Sequence, residues 1–107
     1  GRTVALSEYG GIAWPMPGHE PPGKTYGYGT AKDKADLTKR YKMLQWKTIL
    51  PQLGRGLSAL VYTQLTDVED EVNGLFTYDR AALKPEAAAV RSCNAALAAE
   101  FAKATAK

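Results

Sequence analysis

The carboxylates of this chain fall into two groups whose positions could support acid–base or nucleophilic chemistry. Glu8 follows the short apolar segment Thr3–Ser7 and precedes a glycine pair. A second group occupies the acidic run 67–71, which comes directly after the apolar segment Leu57–Gln64. A positioned carboxyl group can transfer a proton or attack an electrophilic carbon. A carboxylate at the end of a strand can equally be a solvated surface group, and both interpretations stay open for Glu8.

The acidic run also raises calcium binding as an alternative, but it lacks the glycine and the ligand spacing of an EF-hand loop. A solvated loop is therefore the favoured interpretation. His19 is the single histidine and Cys93 the single cysteine. One cysteine excludes an internal disulfide, and this set of residues does not suit a zinc site. We predict no metal site.

Composition places the chain among ordinary soluble domains. Its 107 residues are 45% hydrophobic and 23% charged, which fits one small domain. No apolar run approaches the roughly 20 residues that a membrane-spanning helix needs. The net charge of +3 permits nucleic-acid binding without indicating it. We expect neither a nucleic-acid nor a membrane partner. Because the chain starts at Gly1 without Met, we expect further sequence upstream, and a cytoplasmic location is favoured over secretion.

Hydrophobic patterning and glycine or proline positions predict six segments. The apolar segments indicate buried strands, helically spaced apolar residues from Leu37 onwards indicate a helix that Gly54 stops, and Pro85 suits the start of an alanine-rich helix. The predicted order is strand about 3–8, loop 9–30, helix about 31–53, strand about 57–65, loop 66–84 and helix about 85–103.

This order is satisfied by two parallel strands that a right-handed helical crossover connects. Glu8 and the acidic run then lie at the carboxyl ends of the two strands, with the long Pro- and Gly-rich loop on the same side. Two strands cannot form an independent α/β core, and their open edges invite association. We therefore expect a piece of a larger protein, or a subunit that assembles with other copies.

Two stretches resemble glycoside hydrolase family 2, which contains β-galactosidases, β-glucuronidases and β-mannosidases. The stretch Leu6-Ser7-Glu8-Tyr9-Gly10-Gly11 is similar to the end of the nucleophile strand in that family. The longer stretch YTQLTDVEDEVNGLFTYDR, from Tyr62 to Arg80, is similar to the final strand and loop of the same catalytic domain. The resemblance covers roughly residues 3–94. It implies an α/β fold that is a fragment of a TIM (β/α)₈ barrel, namely its last two βα units.

The resemblance also implies a chemistry. Glu8 would be the nucleophile of a retaining β-glycosidase, in which two carboxyl groups act in turn. In the family the acid/base is a Glu that follows an Asn, and this chain contains no Asn-Glu pair. We therefore predict a fragment that belongs to an enzyme hydrolysing β-galactoside- or β-glucuronide-type substrates, that is inactive alone, and that needs no cofactor.

Five further side chains are candidates for sugar binding: Trp14, Tyr62, Gln64, Asp67 and Asn73. An indole such as Trp14 can stack on a sugar ring or pack against neighbouring tyrosines. Tyr62 and Gln64 can hydrogen bond to sugar hydroxyls and share one face of a regular strand. Asp67 and Asn73 can instead cap turns.

A competing hypothesis is a free-standing basic module that binds anionic partners. It would use the cationic side chains of the central helix: Lys32, Lys34, Lys39, Arg40, Lys42 and Lys47. These residues are equally explained as the solvent face of that helix, and the interleaved aromatic residues of single-strand binders are few.

Overall fold

The computed structural model describes residues 3–106. Its elements are the strand β1 (Val4–Gly10), the helix α1 (Lys34–Met43), a π-helical segment (Leu44–Ile49), the helix α2 (Leu50–Leu53), the strand β2 (Leu57–Thr63) and the helix α3 (Ala87–Thr105).

The two strands lie side by side in parallel and form one two-stranded sheet. The helical stretch between them provides the crossover, so the order along the chain follows the predicted one. The apolar core lies between the sheet and this stretch, where Ile49, Leu53 and Leu57 are buried together. Leu6 and Leu60 of the strands pack against this cluster. Burial of these side chains holds the helices on one face of the sheet.

The central helical stretch begins with a side-chain cap. The carboxylate of Asp33 accepts a hydrogen bond from the backbone N–H of Asp36 at 2.8 Å, which satisfies one of the free donors at the helix start. The π-helical segment precedes Pro51. At the end of the segment the backbone N–H of Leu50 donates to the carbonyl of Gln45. Proline has no backbone N–H, and its ring crowds the carbonyl of the residue four positions earlier in a helix. The wider turn of the π-helical segment accommodates that ring.

The alanine-rich helix α3 packs against α1 and α2. Cys93 is buried on its inner face, and its sulfur lies 2.8 Å from Nε1 of Trp46. The hydroxyl of Tyr41 donates to Asn94 at 2.9 Å across the same interface. Within residues 3–106, no helix has both the length and the apolar character that crossing a bilayer requires.

The prediction of a TIM-barrel fragment made of two βα units is wrong. Residues 3–106 form a small and sparse mixed α/β fold with a single two-stranded ladder. A barrel is defined by strand tilt and stagger accumulated around a closed ring, and one ladder specifies neither. Strands and helices alternate along the chain, but that pattern is common to many α/β folds.

Candidate functional site

Glu8 lies in an irregular part of β1 close to the carboxyl end of the strand. Upstream of it, Leu6 pairs with Leu60. The next pair joins Tyr9 to Tyr62, so β1 has two residues in this interval where β2 has one. The extra residue is a β-bulge, which interrupts the alternation of side chains and redirects them. Consequently the side chain of Glu8 is exposed at the end of the sheet instead of being packed against the core.

The bulge opens onto a pocket of about 370 Å³. Its lining residues are Glu8, Tyr9, Gly10, Gly11, Tyr28 and Thr63. Tyr28 forms an aromatic wall, and its backbone N–H donates to the carbonyl of Gly11 at 2.9 Å. A Cβ on Gly11 would lie 2.6 Å from the Tyr28 ring, and Gly11 has a φ of +72°. Only glycine combines that backbone conformation with so close a ring.

Three tyrosines, of which Tyr41 is buried and Tyr9 and Tyr62 are partly buried, pack together at the strand ends next to the pocket. The hydroxyl of Tyr9 donates to Oε1 of the buried Gln45 at 3.0 Å. The rings of Tyr9 and Tyr62 meet edge to face at 5.3 Å, and Tyr62 meets Tyr41 in the same way. Burial raises the pKa of Tyr9, an effect that its hydrogen bond to Gln45 opposes. Burial also raises the pKa of Tyr62. These contacts restrict the movement of the strand end that carries Glu8.

A polar network follows β2 and fixes a second carboxylate. Nε2 of Gln64 donates to Oδ1 of Asn73 at 2.6 Å. Oε2 of Glu71 accepts from Nε2 of Gln64 and from Nδ2 of Asn73, each at 3.3 Å. Because Asn73 is buried, two amide groups orient the Glu71 carboxylate.

Backbone hydrogen bonds join the long loop after β1 to the loop after β2. Tyr26 donates to the carbonyl of Asp70 at 2.6 Å and accepts from the N–H of Val72 at 2.9 Å. The Tyr26 ring lies 5.6 Å from the Tyr28 ring. Glu71 is therefore held beside the aromatic pair that borders the pocket.

The electrostatics of Tyr28 agree with this placement. The pKa of Tyr28 is raised, first by its hydrogen bond with Tyr26 and then by the charge of Tyr26 and by partial desolvation. The negative charges of Glu8 and Glu71 raise it further. Both carboxylates thus contribute to the raised pKa of the same phenol.

Asp67, a predicted sugar-binding residue, lies in the interior. Its Oδ1 accepts from Nζ of Lys84 at 2.6 Å and from the N–H of Gly74 at 2.8 Å. Lys84 also donates to the carbonyl of Val72 at 2.9 Å, and both charged side chains are almost fully buried. Burial lowers the pKa of Lys84, and the contact with Asp67 opposes that change. This ion pair ties the acidic loop to the segment that precedes α3.

The other four predicted sugar-binding residues lie in different parts of the structure. Gln64 and Asn73 come together around Glu71, and none of these three residues lines the pocket. Tyr62 lies behind the pocket, against the helices. Trp14 is half-buried and does not line the pocket, and its backbone N–H donates to Val72. The sugar-binding roles of these residues stay predictions.

The sequence predicts the whole acidic run at the strand ends without distinguishing Glu71 from its neighbours, and it does not predict Tyr28 as a lining residue. The tyrosines near Trp14 are expected from the sequence only as packing partners, although Tyr26 and Tyr28 alternate with glycines in the segment Tyr26–Gly29. That alternation places two tyrosines on the same side of an extended segment. For Glu71, the sequence feature that could have indicated its hydrogen bonding is its position two residues before Asn73. Nothing else in the sequence distinguishes Glu71 from the other carboxylates of the acidic run.

The basic residues of the central helix are dispersed. Lys34 lies 3.8 Å from Glu86, and Arg40 forms an i,i+4 pair with Asp36 at 3.2 Å. Surface pairs of this kind contribute little to stability. Across residues 3–106, no group of three or more His, Cys, Asp and Glu side chains is arranged to hold a metal ion.

The sequence matches no protein-family model, and no curated protein is similar enough to it to count as a relative.

Proposed function

We propose that this chain is part of a retaining β-glycosidase and that Glu8 is its nucleophile. The observation that supports the proposal is the β-bulge, which exposes the Glu8 carboxylate at a pocket with an aromatic wall. The resemblance to glycoside hydrolase family 2 places the nucleophile at the same residue. Carbohydrate sites combine carboxylates with aromatic rings because a sugar has both hydroxyl groups and apolar C–H faces.

In the proposed reaction a carboxylate oxygen of Glu8 attacks the anomeric carbon of a β-glycoside. The bond to the leaving-group oxygen breaks as that oxygen receives a proton from a second carboxyl group. A glycosyl ester on Glu8 results. Water, deprotonated by the same second group, then attacks the anomeric carbon and releases the sugar with its configuration retained.

The second carboxyl group of the proposed mechanism is expected from another part of the protein. In the family it follows an Asn, and neither Asn73 nor Asn94 precedes a Glu in this chain. Without that group, proton transfer to the leaving group is lost, a contribution of about 10²–10⁴-fold. We therefore expect the isolated chain to be inactive.

Tyr28 is the side chain best placed to stack on a bound sugar. It lines the pocket together with Glu8 and is exposed, so its ring face is accessible. Gln64 lies beside Thr63 of the pocket and can offer its amide to a sugar hydroxyl. In these roles the two side chains would hold the sugar ring between an aromatic wall and polar groups, where Glu8 can attack it.

Removal and chemical replacement of the Glu8 carboxylate test the proposal. In the full-length protein that contains this chain, Glu8→Gly should abolish hydrolysis of aryl β-glycosides. Azide should restore cleavage, because it fits the space left by the carboxylate, and the product should be a glycosyl azide of inverted configuration. Glu69→Ala is the matched control, since Glu69 is an exposed carboxylate of the acidic loop outside the pocket. Full activity of Glu8→Gly without azide would contradict the proposal.

A further inference from the structure

The backbone at Glu8 has no partner of its own in the sheet. Pairing between the two strands is interrupted after Leu6 and resumes at Tyr9. Neither Ser7 nor Glu8 therefore has a counterpart in the register of β2. Residues of a bulge are left out of the ladder, so their position depends on what fixes the chain on either side. The direction of the Glu8 side chain is thus set by the contacts of the residues that follow it.

Two of those contacts hold the chain after Glu8 against the neighbouring strand. The N–H of Gly11 donates to the carbonyl of Thr63 at 2.7 Å. A Cβ on Gly10 would lie 2.6 Å from the ring of Tyr62, so this ring lies directly against the backbone of β1. Both contacts join strand to strand, and neither joins β1 to the helices.

A third contact connects this part of β1 to the central helical stretch. The hydroxyl of Tyr9 donates to Oε1 of Gln45 at 3.0 Å, and Gln45 is 1% exposed. Among residues 3–106, no other side-chain hydrogen bond links β1 to a helical segment. A hydrogen bond to a buried amide is strong because the surrounding dielectric is low, and removal of one partner leaves the other unsatisfied.

Gln45 also lies where the central helix changes its geometry. It is the second residue of the π-helical segment Leu44–Ile49, and its carbonyl accepts the N–H of Leu50, five residues later. A π-helical turn shifts the side chains that follow it around the helix, and such turns are frequent at functional sites. In this chain the residue at the start of the wide turn is the one that contacts the strand end.

We infer that Gln45 is a positioning residue for the nucleophile, because it holds Tyr9 and thereby fixes the backbone that directs Glu8 into the pocket. The inference rests on the proposed glycosidase function, in which a carboxylate oxygen of Glu8 must reach the anomeric carbon. Tyr9 lines the pocket beside Glu8, so a shift of Tyr9 also alters the wall of the site. A displacement of about 1 Å can cost about 100-fold in rate, and loss of the Gln45 contact should slow the attack by about 10- to 100-fold.

The attack by Glu8 can be measured separately from proton donation in the full-length protein. The substrates are 2,4-dinitrophenyl β-glycosides of glucose, galactose, mannose and glucuronic acid, whose leaving group departs without a proton. With whichever is hydrolysed, Gln45→Met and Tyr9→Phe should each lower kcat/KM by about 10- to 100-fold. Covalent labelling by the matching 2-deoxy-2-fluoro glycoside should slow by a similar factor, because it depends on the same attack.

Thr38→Val is the matched control. The Thr38 hydroxyl accepts from the N–H of Glu86 at 3.0 Å, is partly buried on the same helical stretch, and lies outside the pocket. Its removal should lower stability through the loss of one hydrogen bond, as Gln45→Met does, but should leave kcat/KM and the labelling rate unchanged.

The double variant Tyr9→Phe/Gln45→Met separates positioning from stability. With both partners apolar, no polar group is left unsatisfied, so the urea midpoint should recover relative to Gln45→Met alone. A positioning role predicts that kcat/KM nevertheless stays low, because the contact is still absent. Recovery of kcat/KM together with the urea midpoint would show a merely structural role and would overturn the inference.

Hydrogen exchange gives a readout that does not depend on activity. In the full-length protein, the amides of the peptide that contains residues 8–11 should exchange about two- to tenfold faster in Gln45→Met than in Thr38→Val. If glycosides are hydrolysed but Gln45→Met and Thr38→Val have equal kcat/KM and equal exchange, the inference is wrong and the glycosidase proposal stands. If no glycoside is hydrolysed, the proposed function fails, and equal exchange in the two variants would then overturn the ordering of this segment by Gln45.

Discussion

The buried ion pair between Asp67 and Lys84 should be essential to the acidic loop. Replacing Lys84 by Met removes a hydrogen bond to Asp67 at 2.6 Å and another to Val72 at 2.9 Å. The carboxylate of Asp67 then stays buried without a counter-charge and keeps only the N–H of Gly74. Breaking a buried pair in this way costs about 3–5 kcal/mol. A domain of this size has a total stability of roughly 5–15 kcal/mol, so the loss is a large part of it.

Combining this change with Asp67→Asn should recover much of the loss. The asparagine keeps an oxygen for the N–H of Gly74, and no charge remains buried. The residual cost is about 1–3 kcal/mol, because the carbonyl of Val72 still lacks a donor. We therefore expect the double variant to be more stable than Lys84→Met alone by about 2 kcal/mol, so that the two substitutions are not additive.

Urea denaturation followed by tryptophan fluorescence measures these differences. With a slope of about 1–3 kcal/mol per molar urea, Lys84→Met should lower the midpoint by roughly 1–5 M. A cost below about 1 kcal/mol for Lys84→Met, or additive effects of the two substitutions in the double variant, would contradict this prediction.

Three further predictions concern packing, titration and assembly. Because burial raises the pKa of Tyr62, the unfolded state loses this proton first, and stability should fall as pH rises above about 10. In pH-dependent urea titrations Tyr62→Phe should reduce that fall without changing stability at pH 7. Gly74→Ala should cost about 1–3 kcal/mol, because its Cβ would collide with the backbone of Thr66, whereas Gly54→Ala, which points into open space, should show no such loss. The isolated chain should self-associate through its open sheet, on which Val61 is 59% exposed, and Val61→Lys should lower the mass measured by light scattering. A monomeric wild-type chain at micromolar concentration would contradict this last prediction.

The positions of the strands and helices were accessible to sequence reasoning because each depends on local signals. Gly54 stops the central helix at Leu53, one residue earlier in the chain, and β2 starts at Leu57, where its apolar segment begins. The first strand runs two residues beyond the predicted end at Glu8. That difference arises because the partner strand continues the ladder as far as Thr63, which a single segment cannot reveal.

The candidate site was less accessible because it depends on pairing between segments. The bulge at Glu8 exists only relative to the register of β2. The assignment of Asp67 to sugar binding followed from its place in the acidic run, whereas its actual contact is Lys84, 17 residues further along the chain. Glu71 resembled its acidic neighbours until the amides of Gln64 and Asn73 distinguished it. The barrel prediction went wrong for the same reason, since local order does not define how a sheet closes.

Covalent trapping of the nucleophile tests the central claim most directly. The full-length protein would be treated with 2-deoxy-2-fluoro β-glycosides of glucose, galactose, mannose and glucuronic acid, digested, and mapped by mass spectrometry. We expect one sugar adduct, on the peptide that contains Glu8. Turnover of β-glycosides with the adduct on a different carboxylate would contradict the assignment of Glu8 as the nucleophile.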